Sequence, residues 1–285
     1  MVEVLKAGFY DSIQDLGRVG YQQYGVPYSG VMDVFSVLKA NNLLGNDIND
    51  AVMEITMTGP ILKFHCNTAI CITGADFSPS LNEKPVKINA VIQILKGDTL
   101  SFGKLNYGFR CYLSVLGGFK TESVLNSKSM YQSITKQFKI HTNDVLDIIS
   151  DSSHGFINKH ASIKWDDTFF KTKSINVFKG PEFNQLSKIQ IEQLFSSDFT
   201  VSKNNNRMAY QLEEKVENKL EPILTSLVIP GTVQLTPAGN LIILMRDCQT
   251  TGGYPRIFQL EEKSIDILDT ENPKSRTSNA PKRTN

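Results

Sequence analysis

The sequence is poor in the features that announce a specialised chain. Its 30 Lys and Arg balance 29 Asp and Glu, a formal net charge of +1 over 285 residues. A protein that tracks phosphates needs clustered cationic side chains to release counterions, so a nucleic-acid role is disfavoured. Four cysteines (Cys66, Cys71, Cys111, Cys248) are too few for a disulfide framework, and none form a Cys-x-x-Cys pair. They read as buried free thiols. The four histidines (His65, His141, His154, His160) are scattered, without His-Glu-x-x-His or i, i+4 spacing, so no protein-built metal centre is expected. Apolar runs such as Leu241 to Met245 fall far short of the roughly 18 residues that a spanning helix needs. The N-terminus carries Glu3 and no sustained apolar core, so the expectation is a cytoplasmic protein with no membrane association.

What is present is ordinary globular composition, 40% apolar and 21% charged, at a length that favours two compact units. Short runs rich in Val, Ile, Thr and Phe recur between Gly, Pro, Asn and Asp. Examples are Val52 to Met57, Ala69 to Thr73, Val86 to Leu95, Arg110 to Leu116, Ile175 to Phe178, Leu227 to Ile229 and Leu241 to Met245. The fold class is therefore mainly β, with a few short helices. One helix is expected over Val34 to Leu44, where Val34, Val37, Leu38 and Leu44 share a stripe, Asp33 caps the start and Gly45 the end. A second is expected from about Asn184 to Phe195, after Gly180-Pro181.

The polar stretch from Ser150 to Asp167 marks a change of composition, which puts one domain over 1–155 and a second over 156–268. Asp269 to Asn285 has four basic residues, two prolines and Ala280 as its one apolar side chain. Such a segment buries too little to offset its ordering entropy and is expected to be a disordered tail.

Common nucleotide and hydrolase signatures fail. Gly97 to Lys104 has the wrong spacing for a phosphate loop, and neither Gly-x-Gly-x-x-Gly nor Gly-x-Ser-x-Gly occurs in the required setting. Two loops stand out instead. The first runs from Ser12 to Asp33 and contains Asp15, Arg18, Ser29 and Gly30. Arg18 can clamp a carboxylate or phosphate bidentately, or can pair with Asp15 or Asp33 to fix the fold. Ser29 as a nucleophile lacks a nearby histidine in sequence. The second loop, Asp247 to Arg256, offers Gln249, Thr250, Thr251, Gly252 and Tyr254. Its amide, hydroxyls and glycines permit close approach of a planar amide, ureido group or carboxylate, or they form a tight hairpin. Glu54 and Asp76 lie beside apolar strands and can act as acid, base or orienting group, or satisfy buried backbone donors.

Taken together, Ser12-Ile-Gln-Asp-Leu-Gly-Arg18, Gly25 to Asp33, Glu54 to Pro60, Thr73-Gly-Ala-Asp76, Gly117-Gly118, Arg207-Met208, Pro230-Gly231 and Gln249 to Pro255 resemble a known family. It is the biotin-dependent carboxyltransferase, allophanate hydrolase subunit 2 and KipA family, which includes the C subunit of 5-oxoprolinase. The resemblance implies two tandem cyclophilin-like β-barrel domains. It also implies partners, a KipI-like (allophanate hydrolase subunit 1) protein and a LamB/YcsF-like protein, in a complex that opens 5-oxo-L-proline to L-glutamate with ATP. On that reading Asp33, Glu54 and Asp76 are the catalytic candidates, while Arg18, Ser29, Arg207, Gln249, Thr250, Thr251, Gly252 and Tyr254 bind a small amide substrate; no metal is implied.

The same family implies two other roles. One is carboxyl transfer from carboxybiotin to urea or a related amide, with biotin carried elsewhere because no Ala-Met-Lys-Met motif is present. The other is non-catalytic regulation in the KipA manner. Two departures stand out. Asn206 and Ala209 flank Arg207-Met208 where the family usually has Asp and Gly, and the sequence after Ile267 has no resemblance to the family's further strand, which implies an open sheet edge.

Overall fold

The computed structural model describes residues 1–150, 174–270 and 282–283. The chain divides into two compact units, one of Met1–Arg18 with Asp33–Asp166 and the other of Val19–Met32 with Asp167–Asn285. The expected boundary at 155/156 lies outside the described residues.

The first unit carries β1 (Val2–Lys6), β2 (Tyr10–Gln14), α1 (Val34–Leu44), β3 (Val52–Thr56), β4 (Ile61–Phe64) and β5 (Thr68–Asp76). These are followed by β6 (Ser80–Leu81), β7 (Lys84–Pro85), β8 (Val91–Ile94), β9 (Thr99–Ser101), β10 (Tyr107–Val115) and β11 (Val145–Leu146). Two sheets result, ordered β11-β1-β4-β9-β6-β7 and β2-β3-β10-β5-β8. Neither closes on itself among the described residues.

Strand periodicity explains what each sheet buries. Val2, Val4, Leu62, Phe64 and Leu100 of the first sheet share one core with Ile13, Met53, Ile55, Ile70, Ile72 and Leu113 of the second. On β5 the alternate residues Ala69 and Cys71 turn to the other face and meet Ala40 and Leu44 of α1. This strand is therefore apolar on both faces and reads as a continuous hydrophobic run. Helix α1 has the limits expected from its caps: the Asp33 carboxylate accepts the Ser36 amide at 2.9 Å, and Gly45 takes φ 69° as the left-handed terminator.

The second unit carries β12 (Asn176–Lys179), α2 (Lys188–Ser196), β13 (Val201–Asn205), β14 (Ala209–Lys215), β15 (Ser226–Leu227) and β16 (Thr232–Leu235). Then come β17 (Asn240–Leu244), β18 (Thr251–Gly252), β19 (Arg256–Leu260), α3 (Glu262–Thr270) and β20 (Lys282–Arg283). Its main sheet is ordered β13-β14-β17-β16-β19-β12-β20, with β15 and β18 forming a separate pair. The core gathers Val177, Leu194, Tyr210, Val233, Ile243, Phe258 and Ile265 with Met32 from the early segment.

Several local expectations shift. Helix α2 starts at Lys188 because Ser187 and Gln190 form a reciprocal capping box, and Phe183–Gln185 is a separate 3-10 turn. Helix α3 is an addition to the expected elements. Its buried face carries Ile265 and Leu268 among acids, and Asp269 accepts the Tyr210 hydroxyl at 3.0 Å. Of the chain expected to be a disordered tail, 271–281 and 284–285 lie outside the described residues, while β20 pairs in parallel with β12 at the sheet edge expected to be open. Cys71, Cys111 and Cys248 are buried, but Cys66 is partly exposed.

Candidate functional site

In the second unit, the β13–β14 turn and the chain leaving β17 converge on Arg207. Its guanidinium donates from Nε to Asp247 Oδ2 at 2.8 Å and from Nη2 to Asp247 Oδ1 at 3.1 Å. Nη2 also donates to the Gly30 carbonyl at 2.6 Å. Both charged side chains are buried, so the fork geometry offsets a large desolvation cost. The turn itself is shaped by Asn206, whose Oδ1 accepts the amides of Met208 and Ala209 at 2.8 and 3.1 Å. An amide oxygen thus supplies the acceptor that a carboxylate would.

Ser29 lies in the same region, with its amide donating to the Arg246 carbonyl at 2.9 Å. It holds a left-handed φ of 55° although it is not glycine, and its buried Oγ has no hydrogen-bond partner among the described residues. Strain together with an unused polar atom marks a place where a ligand atom would be favoured. Arg246 is anchored in turn by α3, through Glu262 Oε1 at 2.5 Å and Asp266 Oδ1 at 3.7 Å.

The loop beyond is less local than a hairpin. Thr251 and Gly252 pair with Leu227 and Ser226, the Thr250 carbonyl accepts the Val228 amide, and the Gly253 carbonyl accepts the Ile223 amide. Gly252 is required by packing: a Cβ there would come within 2.4 Å of Gln234 Nε2 and 3.3 Å of Val228. Gln249, Thr251 and Tyr254 remain exposed, and Thr250 is half-buried. The base of the loop is held by Arg256, which donates to Glu182 at 3.0 and 2.9 Å and to the Leu227 carbonyl at 3.0 Å. Hydrogen bonding from Arg256 holds the Glu182 carboxyl below its ordinary range, and Glu182 raises Arg256 reciprocally.

In the first unit, Ser12, Glu54, Tyr112 and Thr73 lie opposite one another across β2, β3, β10 and β5, and so share one face. That face meets the start of α1: Thr73 Oγ1 donates to the Ser36 carbonyl, and the Tyr112 hydroxyl accepts the Asp33 amide at 2.9 Å. Fully buried Glu54 sits 3.4 Å from Arg110 Nε. Asp33 and Glu54 are thereby on the same face. Asp76 is elsewhere, at the end of β5, where its carboxylate accepts from the Ser78 amide and the Asn106 side chain. Arg18 is fully buried in this unit and donates to the Val124 and Ser129 carbonyls at 3.0 and 2.8 Å. Ser29, Arg207 and the Gln249 to Tyr254 loop thus belong to the second unit, and Arg18, Asp33, Glu54 and Asp76 to the first.

The residues that sequence reasoning misses are Asp247, Arg246 and Gln234. Asp247 is legible as an acid entering the loop, but Gln234 stands on a short strand, Thr-Val-Gln-Leu, with nothing to distinguish it. No group of three or more His, Cys, Asp or Glu suited to a metal occurs among the described residues. No described helix is long and apolar enough to cross a membrane.

Comparison with known proteins decides the family. The model for the carboxyltransferase domain, subdomain A and B, matches residues 24–278. The chain belongs to this carboxyltransferase-domain family. It is 29% identical to the C subunit of 5-oxoprolinase from Escherichia coli over 272 residues, covering 93% of this chain and 86% of that protein. Over 130 residues it is 43% identical to urea amidolyase of Lachancea kluyveri, which is 45% of this chain and 7% of that protein. The crystal structure of the K. lactis urea amidolyase superposes with a TM-score of 0.85 at 27% identity, over 98% of this chain and 18% of the larger one. The mainly β, tandem cyclophilin-like plan agrees with these neighbours.

Proposed function

We propose that the chain is the C subunit of an ATP-dependent 5-oxoprolinase, acting with KipI-like and LamB/YcsF-like partners to open the lactam of 5-oxo-L-proline to L-glutamate. The observation that carries this reading is coverage: similarity to the 5-oxoprolinase C subunit runs through 86% of that protein, against 7% of the urea amidolyase. An unactivated lactam is a poor electrophile, so this chain's contribution is to hold the planar amide and to stabilise charge on its oxygen. Ser29 Oγ, Gln249 and the threonine hydroxyls are the donors for that task. ATP is a co-substrate of the assembled complex.

The experiment is glutamate release from 5-oxoproline with ATP, by this chain mixed with its two partners and with each omitted in turn. Dependence on all three supports the reading; turnover unchanged by Ser29→Ala or Thr250→Ala rejects the site. A second reading, carboxyl transfer from carboxybiotin to urea or a related amide, is favoured by the 43% identity to the urea amidolyase segment. Carboxylation of urea by the chain supplied with carboxybiotin, with no lactam opening by the three-protein mixture, would select it.

A further inference from the structure

The Ser12 to Arg18 motif spends its buried polar groups on one surface loop. The Asp15 carboxylate accepts from the hydroxyls of Ser127 and Ser129 at 2.7 Å each and from the Lys128 amide at 2.6 Å. Arg18 holds the Val124 and Ser129 carbonyls, and Gln14 Nε2 donates to the Met130 carbonyl at 3.1 Å. Between these anchors Leu125 and Asn126 take φ of 53° and 61°, two consecutive left-handed residues without glycine. A surface loop fixed this firmly, by groups buried beneath it, presents side chains in set positions, as binding sites require.

What the loop presents is Lys128, on the wall of a cleft of about 360 Å³ that also carries Lys120 and Lys136. The three cations differ. Lys120 Nζ donates to the Gly117 carbonyl, and Lys136 Nζ lies 3.9 Å from Glu122. Lys128 has no ion-pair partner among the described residues. Thr121, also on the wall, keeps a buried Oγ1 without a hydrogen-bond partner among those residues. Met130 and Leu146 line the cleft, and Asp147 and Glu122 are its acids.

We infer that this cleft is an oxyanion site, in which Lys128 and the Thr121 hydroxyl receive the carboxylate or phosphate of a small molecule. The inference is independent of the reaction proposed above. Lysine acts as a point charge toward either anion, and the hydroxyl supplies the directional hydrogen bond.

The test is an NMR titration of the full chain with inorganic phosphate and, separately, with acetate, at constant ionic strength made up with chloride. The expected result is a saturable shift of the amides of Lys120, Thr121, Lys128 and Lys136, weakened about tenfold or more in Lys128→Gln and unchanged in Lys104→Gln. Tighter phosphate binding identifies a phosphorylated ligand, and tighter acetate binding a carboxylate. Ser127→Ala, which removes one anchor and leaves all three lysines, is expected to weaken binding as well. Non-saturating shifts equal to those in chloride, or equal affinity in Lys128→Gln with an unchanged melting temperature, would overturn the inference.

Discussion

Arg207 and Asp247 form a buried two-point ion pair that ties the β13–β14 turn to the entrance of the Gln249 to Tyr254 loop. The Asp247 amide also donates to the Arg207 carbonyl at 2.8 Å, so backbone and side chains make the same connection. Removing the acid leaves a guanidinium buried with its charge uncompensated. Asp247→Ala is expected to destabilise the second unit by about 3–5 kcal/mol, measured by urea denaturation. A loss below about 1 kcal/mol would mean that the pair is solvated.

Gly252 and Gln234 compete for one space. Gly252→Ala places a methyl group against the Gln234 amide and is expected to cost about 1–3 kcal/mol. Gln234→Ala in the same chain should recover most of that loss. A double-mutant cycle reads the coupling, and additive effects would show that the clash is relieved elsewhere.

Asp11 sets a pH dependence. Burial pushes its carboxyl up to about 7 from 3.8, with the Gly8 amide at 2.6 Å the opposing influence. Its other oxygen is buried without a hydrogen-bond partner among the described residues. The folded state therefore binds a proton that the unfolded state releases, and stability falls as pH rises from about 4 to about 7, with the full penalty above. Asp11→Asn should remove that slope and raise stability at pH 8 by on the order of 2–4 kcal/mol. Parallel stability curves for the two proteins between about pH 4 and 8 would contradict the assignment.

The thiols should separate cleanly. Burial pushes Cys71 and Cys248 up to about 12 and holds Cys111 well above its ordinary range, so none offers a thiolate at neutral pH. Cys66 is partly exposed, with the N-terminal ammonium 3.3 Å from its sulfur. A thiol reagent is expected to label one cysteine in the native protein and four after denaturation. Rapid labelling of a second would show that the core opens.

Helix α1 is legible in the sequence because both of its stop signals are local: an aspartate that caps and a glycine that turns left-handed sit within one turn of the ends. The interior strand β5 is legible because it is covered on both faces. Helix α3 is not, since Ile265, Ile267 and Leu268 fit a strand as readily as a helix, and the neighbouring acids Asp266 and Asp269 find Arg246 and Tyr210 through tertiary contacts. Arg18 shows the same limit at the level of a side chain. The donors that would clamp a carboxylate are those that hold the Val124 and Ser129 carbonyls, and sequence does not distinguish the two acceptors. Gln234 carries no sequence signal at all because its importance lies in what stands opposite it, a residue without a Cβ.

Asn206 shapes its turn through an amide rather than through a carboxylate. An amide oxygen has no proton to gain across the working range of a protein, so its two hydrogen bonds to Met208 and Ala209 persist in acid. The turn that presents Arg207 is thus insulated from proton concentration, and the scaffold that aims the guanidinium keeps its shape wherever the second unit stays folded.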